Sequence, residues 1–412
     1  MTASGKKEQK TNVKTLFVGL QYDRALEKTY LALSKCGLQA AANEFQWNTC
    51  DGLIDTLDDL DILTALPVAT YPKYKELYLQ KRIWKYRGCS ITELPCVNLP
   101  LIKQKQRKNA CYHAIKEWIH RTPSERHLII LYSLYLPYLQ AISRIINEME
   151  EVRALVIVTD LPGKYGVQLS GKMLNWIASK IGDRAMKLQK NFHGYVLLTD
   201  AMKVPLEVGS KPYVVVEGIY NQRQSITPIT SDNDGKCHIL YAGTLHRQFG
   251  IITLLEAFKY LDGDTELWIC GTGDCEKDVR KAALNDARIR FYGYVSSDEV
   301  EKLRSCATVL VNPRPNEGEY TKYSFPSKTM GYIASGKPVV MYKLDGIPDE
   351  YDQYLIYPQD SSPKALADAI KYVIQRPKDE IEKMGEKARE FICMQKNSKE
   401  QASKIVKMIE NL

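Results

Sequence analysis

The stretch that decides the fold is Tyr323-Ser-Phe-Pro-Ser-Lys-Thr-Met-Gly-Tyr-Ile-Ala-Ser-Gly-Lys-Pro-Val-Val340. Its pattern predicts a polar loop, a short helix, a glycine stop and a buried strand. Ser324 is suited to cap the helix, and Pro326 suits the first helical turn. Gly336 is suited to end the helix, and the Pro-Val-Val that closes the stretch is typical of a strand start.

The start of this helix is a predicted anion site. The first N–H groups of a helix have no acceptor within the helix, and the helix dipole favours negative charge there. Lys322 and Lys328 flank the loop and add positive charge. A lysine in the first turn opposes the dipole, which is easier to understand if an anion lies beside it. The pattern therefore indicates a ligand that carries phosphate.

Short apolar runs alternate with helix-length segments on both sides of this stretch. Strands are predicted at 13–19, 127–132, 154–159, 195–199, 213–216, 238–242, 266–270, 288–292, 308–312 and 338–342. Helices are predicted at 23–35, 138–150, 169–189, 250–261, 275–285, 297–305, 327–335 and 362–376. Such alternation favours parallel sheets with helices on both faces, an α/β fold.

The stretch 323–340 resembles the donor-site segment of glycosyltransferase family 4, whose members have the GT-B fold. It is most similar to the bacterial capsule and exopolysaccharide members. Further segments follow in the order and spacing of that family: Leu240-Tyr-Ala-Gly-Thr-Leu-His-Arg-Gln-Phe-Gly-Ile251, Leu267-Trp-Ile-Cys-Gly-Thr-Gly-Asp274, Phe291-Tyr-Gly-Tyr-Val295 and Val311-Asn-Pro-Arg-Pro315. The first half resembles the family more weakly, at 158–163 and 214–219.

The resemblance implies an organisation as well as a fold. We expect two doubly wound Rossmann-like domains that face each other across a cleft, with a C-terminal helix that crosses back to the first domain. The expected parts are a disordered tail (1–12), an acceptor-side domain (13–222), a linker (223–236), a nucleotide-sugar-binding domain (237–395) and the crossing helix (396–412). The polar composition of 221–236 supports a linker there.

The resemblance also implies which residues bind the donor. We expect these to be Gly243, Thr244, Gly271, Gly273, Tyr292, Gly293, Tyr294, Arg314, Lys322, Ser324, Phe325 and Ser327. Tyr294 is expected to stack on the nucleotide base or to be ordinary packing. Arg247 is the one cation in its loop, and Phe249 stands where the family usually has lysine. Glu317 and Glu319 are either sugar contacts or, as we prefer, exposed loop charges.

The expected catalytic residues are Arg247, Lys328 and Asp160. Arg247 and Lys328 would stabilise the leaving diphosphate; for Arg247 we prefer this role to the alternative of an exposed surface charge. Asp160 follows a buried strand, and its carboxylate would orient or deprotonate an acceptor hydroxyl, unless it only caps a turn. Glu217 is a similar carboxylate at a strand end.

One position departs from the family pattern. The family pairs two glutamates eight positions apart, which fall here on Tyr323 and Gly331. The second glutamate usually hydrogen-bonds the donor ribose, which glycine cannot do. Two interpretations follow: an active transferase, or a weakened or inactive nucleotide-sugar-binding homologue that acts as a partner protein.

The composition excludes several other classes. The chain has 412 residues, enough for two domains, and no run of 18 apolar residues that would predict a spanning helix. Its lysine-rich start is no secretory signal, so we expect a cytoplasmic protein. Ten cysteines and six histidines are scattered without metal-ligand spacing, which predicts reduced thiols and no bound metal. A dinucleotide fingerprint is missing around Gly271.

Positive charge is concentrated in residues 71–125. This segment has twelve Lys and Arg against four Glu, so it alone matches the net charge of +8, and it is rich in Tyr and Trp. Such a surface fits an anionic membrane, nucleic acid or simply a solvated helix face. We favour peripheral contact with the inner face of the plasma membrane, because the acceptors of the family are often lipid-linked.

The sequence therefore predicts a glycosyltransferase of the hexosyltransferase type. The resemblance implies retention of anomeric configuration, independence of metal, and no cofactor beyond a UDP- or GDP-linked sugar donor. The acceptor would be a glycan or a polyprenyl-linked glycan in bacterial surface polysaccharide synthesis. Nucleic acid is not an expected partner.

Overall fold

The structure, a computed structural model, describes residues 13–162, 172–221 and 235–412. The predicted tail, the beginning of the predicted helix 169–189 and most of the predicted linker lie outside these residues. The chain divides into two compact units. Unit 1 contains the residues up to Leu197, Met202–Val216 and Ala402–Leu412, and unit 2 contains Leu198–Ala201 and Glu217–Gln401.

Unit 1 alternates strands and helices with one inserted hairpin. In chain order its elements are β1 (Val13–Val18), α1 (Glu27–Leu33), α2 (Ala40–Thr56), β2 (Leu60–Thr64), β3 (Tyr78–Leu79), β4 (Arg82–Tyr86), β5 (Cys89–Glu93), β6 (Cys96–Val97), α3 (Ile102–Arg121), β7 (Arg126–Tyr132), α4 (Leu136–Glu148), β8 (Val152–Val158), α5 (Lys172–Leu188), β9 (Gly194–Leu197) and β10 (Tyr213–Val215).

The large sheet of unit 1 has the strand order β10-β9-β8-β7-β1-β2-β5-β4. Every neighbouring pair is parallel except the β4–β5 hairpin, which forms one edge. The central strands β1, β7 and β8 are buried over most of their length, as expected where helices cover both faces of a parallel sheet. Phe17, Ile129 and Val156 are accordingly fully buried.

Unit 2 repeats the architecture with a smaller sheet. Its elements are β11 (Cys237–Ala242), α6 (Ile251–Phe258), β12 (Thr265–Cys270), α7 (Glu276–Asn285), β13 (Ile289–Gly293), α8 (Ser297–Cys306), β14 (Val309–Asn312), α9 (Ser327–Ala334), β15 (Val339–Met341), β16 (Leu355–Ile356), α10 (Pro363–Ile374) and α11 (Lys378–Gln395). The last helix, α12 (Ser398–Ile409), begins in unit 2, and its residues from Ala402 onward belong to unit 1.

The sheet of unit 2 is wholly parallel, in the order β13-β12-β11-β14-β15-β16. From β11 the chain first builds outward through β12 and β13, and then returns to add β14 on the other side of β11. The strand order therefore reverses between β11 and β14. Open α/β sheets bind ligands at such a switch point, beyond the carboxyl ends of the strands.

Candidate anion-binding site

The loops that leave β11 and β14 touch each other at the switch point. Gly250 has φ of +76°, and a Cβ atom on it would lie 1.9 Å from the carbonyl oxygen of Pro313. A side chain is therefore excluded both by the backbone conformation and by the contact. This close approach joins the loop after β11 to the loop that carries Arg314.

The loop after β12 is joined to the same place. A Cβ atom on Gly271 would lie 1.8 Å from the carbonyl oxygen of Gly243, and one on Gly273 would lie 2.3 Å from that of Leu245. Backbone hydrogen bonds cross between the loops, from Gly243 N to Cys270 O (3.0 Å) and from Leu245 N to Thr272 O (2.9 Å). The glycines that the sequence predicts as donor contacts thus allow two strand-end loops to pack backbone against backbone.

Lys328, the second residue of α9, projects into this junction. Its Nζ atom lies 2.6 Å from the position that a Cβ atom would take on Gly243, and 4.1 Å from the centre of the Tyr241 ring. Burial, and then the positive charge of Arg314, lower the pKa of Lys328 to about 7. In the part of the chain that the structure describes, no carboxylate forms an ion pair with it.

Arg314 lies beside Lys328 at the start of the loop after β14. Its Nη2 atom donates to Ser324 Oγ (2.9 Å), and its guanidinium faces the rings of Tyr320 (4.9 Å) and Phe249 (5.8 Å). Its Nε atom is buried and has no hydrogen-bond partner in the described structure. Two neighbouring cations without a described carboxylate partner form a site that a bound anion would stabilise.

The helix start differs in one detail from the sequence prediction. Helix α9 begins at Ser327 with Pro326 at the capping position, and no side chain caps it. Ser324, which the sequence predicts as the cap, instead accepts the hydrogen bond from Arg314. Phe325 is buried, with its ring 5.5 Å from that of Tyr351. The first N–H groups of α9 are therefore not covered by a side-chain cap.

Arg247 lies further out than Lys328 and Arg314. It begins a single 3₁₀ turn, Arg247–Phe249, and its side chain is 67% exposed. Its backbone N–H donates to Asp274 Oδ1 (3.1 Å), and its Nη2 atom lies 3.4 Å from Asp278 Oδ2. The structure pairs this arginine with acidic residues of the neighbouring α7 region, so its contact with a donor stays a prediction.

The remaining predicted donor residues surround the junction. Thr244 is exposed, and its carbonyl oxygen accepts from the Tyr241 hydroxyl (2.7 Å). Lys322 is exposed, and its carbonyl oxygen accepts from Thr199 Oγ1 (2.7 Å). Glu317 and Glu319 are exposed loop residues.

The end of β13 presents two tyrosines. Tyr292 is partly exposed and lies edge-on to Trp268, whereas Tyr294 is 70% exposed. Gly293 between them has φ of +68°, in the region that favours glycine. The ring of Tyr294 is thus mostly exposed, and its stacking on a nucleotide base stays a prediction.

The position of the missing glutamate is occupied by an arginine. Arg304 Nη1 donates to the carbonyl oxygen of Gly331 (3.0 Å) and lies 2.8 Å from Glu301 Oε1. A Cβ atom on Gly331 would lie 2.8 Å from the same Nη1 atom. Glycine at 331 thus gives the Arg304 side chain room to pack against α9. The sequence analysis does not find this arginine, because it stands outside every motif.

Two carboxylates outside this site have different surroundings. Asp160 in unit 1 is exposed and lies just beyond β8. Partial loss of water around its carboxyl raises the pKa of that group, and a hydrogen bond with Thr159 lowers it by a smaller amount.

Glu217 is buried and lies 2.6 Å from Lys396 Nζ. Burial alone would raise the pKa of Glu217, but the Lys396 ammonium holds it below its ordinary value. Glu217 therefore has a structural role.

Comparison with known proteins identifies the domain that carries this site. Residues 236–376 match the family model of glycosyl transferases group 1. Residues 236–376 are thus similar to a glycosyltransferase domain. That domain contains the junction of Gly243, Arg314 and Lys328, and the prediction that the protein is of the glycosyltransferase class is confirmed. No curated protein sequence matches the chain.

Solved structures confirm the fold over nearly the whole chain. Sucrose-phosphate synthase from Thermosynechococcus elongatus matches with a TM-score of 0.66 at 14% identity, covering 97% of this chain and 98% of that one. The Anabaena protein Alr3699/HepE in complex with UDP matches with a TM-score of 0.62 at 12% identity, covering 97% and 100%. The lipopolysaccharide outer core galactosyltransferase WaaB matches with a TM-score of 0.58 at 13% identity, covering 97% and 99%. The predicted GT-B fold, with two Rossmann-like parallel sheets, is thereby confirmed.

Proposed function

We propose that this protein transfers a sugar from a nucleotide-sugar donor, and that the donor diphosphate binds in unit 2 between Lys328 and Arg314. The observation that carries the proposal is the position of Lys328. It is partly buried, close to Arg314 and at the switch point of a parallel sheet. A diphosphate there would meet both cations and the first N–H groups of α9.

The same contacts would assist the reaction. When the glycosidic bond to the diphosphate breaks, negative charge grows on the leaving phosphate. Lys328, Arg314 and the α9 N–H groups are held in place before that charge develops, which is the condition for electrostatic catalysis. Arg247 would add a more exposed cation. Metal independence and retention of configuration belong to this proposal through the resemblance to family 4.

Calorimetric titration with UDP, GDP and UDP- or GDP-linked hexoses tests the donor site. We expect saturable binding of at least one nucleotide, and an affinity at least tenfold lower for Lys328→Met. Lys281→Met is a matched control, because Lys281 is an exposed lysine on α7. No binding by the folded wild-type protein, or equal affinities for all three proteins, would contradict the proposal.

The acceptor side of the proposal is a glycan or polyprenyl-linked glycan in bacterial surface polysaccharide synthesis. The resemblance to capsule and exopolysaccharide enzymes supports it, and Asp160 would orient or deprotonate the acceptor hydroxyl. Asp160→Asn, which keeps the shape but removes the charge, should reduce transfer while leaving nucleotide affinity unchanged. A loss of nucleotide affinity in this variant would argue against an acceptor role.

Gly331 favours a second candidate, a nucleotide-sugar-binding partner with weak or no turnover. The substitution Gly331→Glu restores the carboxylate that the family pattern contains at this position. A rise in donor affinity and in transfer would show that glycine weakens the enzyme. Unchanged affinity, with Gly331→Gln as the uncharged control, would show that the missing carboxylate is irrelevant to donor binding.

Membrane contact through residues 71–125 is the last part of the proposal. Leu77, Tyr78, Leu101 and Ile102 are exposed there among lysines, which supports contact with anionic lipid. Not all of the segment contributes, because Tyr74, Tyr112, Trp118, Lys103 and Arg107 are buried. Among the described residues, no helix is both long and apolar enough to span a bilayer. Sedimentation with phosphatidylglycerol but not phosphatidylcholine vesicles would support this contact, and equal sedimentation would contradict it.

A further inference from the structure

Unit 1 contains a groove that the proposed transfer reaction does not use. It lies between α3 and the β2-β5-β4 end of the large sheet, with a volume of about 420 Å³. This volume is within the range of sites that bind small molecules. We propose that the groove binds a single-chain amphiphile, with its apolar chain against the sheet and its anionic head at Lys81.

The floor of the groove is apolar because α3 leaves part of the sheet uncovered. Ala110 and Ala114, whose side chains are small, line the groove from α3. Leu16 and Leu63 form the floor, and Ile83 forms the outer wall. Polar side chains, such as Ser90 and Thr122, also line the groove, so its lining suits a ligand that is apolar along one part and polar at one end.

Ile83 gives independent support for an apolar ligand. It lies on the edge strand β4, pairs with Thr92 of β5, and is 64% exposed although it is a large apolar side chain. Removing such a surface from water is favourable, so a chain laid along it would be stabilised by the contact. On the far side, Trp118 Nε1 donates to Asp61 Oδ2 (2.9 Å), which holds the indole in the wall.

Two cations, Lys81 and Arg121, and two carboxylates, Asp61 and Glu117, line the groove, so the case for an anionic head rests on Lys81. Lys81 is exposed, and in the described part of the chain no carboxylate pairs with it. The two carboxylates of the groove already have donors: Asp61 accepts from Trp118, and Glu117 lies 3.7 Å from Arg121. A phosphate or carboxylate head would therefore meet Lys81, with His113 beside the groove as a further possible donor.

Titration calorimetry with dodecyl phosphate below its micelle concentration tests this inference, with inorganic phosphate and dodecyl maltoside as comparison probes. We expect saturable binding of dodecyl phosphate, at least tenfold weaker binding of dodecyl maltoside, and no binding of inorganic phosphate. Saturating UDP should not displace dodecyl phosphate, so failure of this inference can be distinguished from failure of the proposed donor site.

Variants then locate the ligand. Ala114→Phe fills the groove from α3, and Ser90→Phe fills it from β5 should the first variant not fold; each should weaken dodecyl phosphate binding at least tenfold. Lys81→Glu should weaken it severalfold, and Lys281→Glu should not. The inference is overturned if the filled variants bind like the wild type, or if the protein binds phosphatidylglycerol vesicles but not the monomeric amphiphile.

Discussion

The Nζ atom of Lys328 lies 2.6 Å from the position that a Cβ atom would take on Gly243. Lys328 projects from the start of α9 and Gly243 directly follows β11, so the ends of the two elements share one small space. Tyr241 lies beneath the same ammonium, with its ring centre 4.1 Å from Nζ. The missing side chain at 243 and the aromatic ring at 241 together allow a lysine to be partly buried at this point.

The charge of Lys328 makes donor binding depend on pH. Burial and Arg314 lower its pKa to about 7, so the free protein loses this positive charge as the pH rises through that value. A nucleotide sugar keeps its diphosphate charge over the same range. We therefore expect the affinity of the protein for a nucleotide sugar, measured by calorimetry, to fall about tenfold between about pH 6 and about pH 9. Lys328→Arg stays charged, so a fall of equal size in that variant would contradict the assignment.

The room at residue 243 can be tested separately. In Gly243→Ala the new methyl group would force the Lys328 ammonium away, because the two would lie 2.6 Å apart. We expect the donor affinity of the folded protein to fall about tenfold, and thermal stability to fall as well, because the φ of +158° at Gly243 is one that side chains rarely adopt. Gly263→Ala is the control, because nothing lies within 4 Å of its Cβ position. Equal affinities in both variants would show that Lys328 does not bind the donor.

The contact between the loops of β11 and β14 predicts a stability effect. Gly250→Ala places a methyl group 1.9 Å from the carbonyl oxygen of Pro313, at a φ of +76°. The carbonyl oxygen belongs to the backbone and the methyl group is attached directly to it, so neither can move without a shift of the chain, and we expect the free energy of unfolding to fall by more than about 1 kcal/mol. Chemical denaturation measures it, with Gly263→Ala as the matched substitution. A stability equal to that of the control would mean that the two loops do not touch.

The strands of unit 2 are easier to predict from the sequence than the elements of unit 1, because residues in the sequence mark where they end. The unit 2 strands are short apolar runs that end at glycine or proline, as at Gly243, Gly271 and Pro313, so their ends are visible in the sequence. In unit 1 the sequence analysis assigns no element to α2, because its inner face is polar. Gln46 and Asn43 are buried there and accept hydrogen bonds from the backbone N–H groups of Leu20 (2.7 Å) and Tyr22 (2.8 Å).

The candidate site is predictable as a set of residues but not as an arrangement. Lys328 and Arg314 both stand in motifs, yet their proximity depends on β14 lying beside β11, which local pattern does not specify. The pairing of Arg247 with Asp278, and of Arg304 with the Gly331 carbonyl, likewise joins segments far apart in sequence. For Glu217, the sequence shows a carboxylate at a strand end, but not its burial beside Lys396, which comes from a distant part of the chain.

The buried ion pair between Glu217 and Lys396 gives a further prediction about stability. Lys396 Nζ lies 2.6 Å from both Glu217 Oε1 and Glu350 Oε1, and Tyr351 donates to the same Glu217 oxygen (2.7 Å). Lys396→Met would leave the buried Glu217 carboxylate without its ammonium partner, at an expected loss of about 3–5 kcal/mol in unfolding free energy. The double variant with Glu217→Gln should recover part of that loss. If the double variant is no more stable than the single one, the two charges are not coupled.

Arg247 provides the test of the more exposed part of the donor site. If its guanidinium assists the leaving diphosphate, Arg247→Ala lowers turnover at least about tenfold. Arg280→Ala is a suitable control, since Arg280 is a similarly exposed arginine that pairs with Glu276 on α7. Turnover is measured by release of the nucleoside diphosphate, UDP or GDP, from the sugar donor. Unchanged turnover in a folded Arg247→Ala protein would remove this residue from the mechanism.

The most direct test of the donor site is a crystal structure of the protein with UDP or GDP bound. We predict that the diphosphate oxygens lie within hydrogen-bonding distance of Lys328 Nζ and of the first N–H groups of α9, with the Arg314 guanidinium alongside. A nucleotide bound elsewhere, with the Lys328 ammonium still packed over Tyr241 and far from any phosphate, would contradict it.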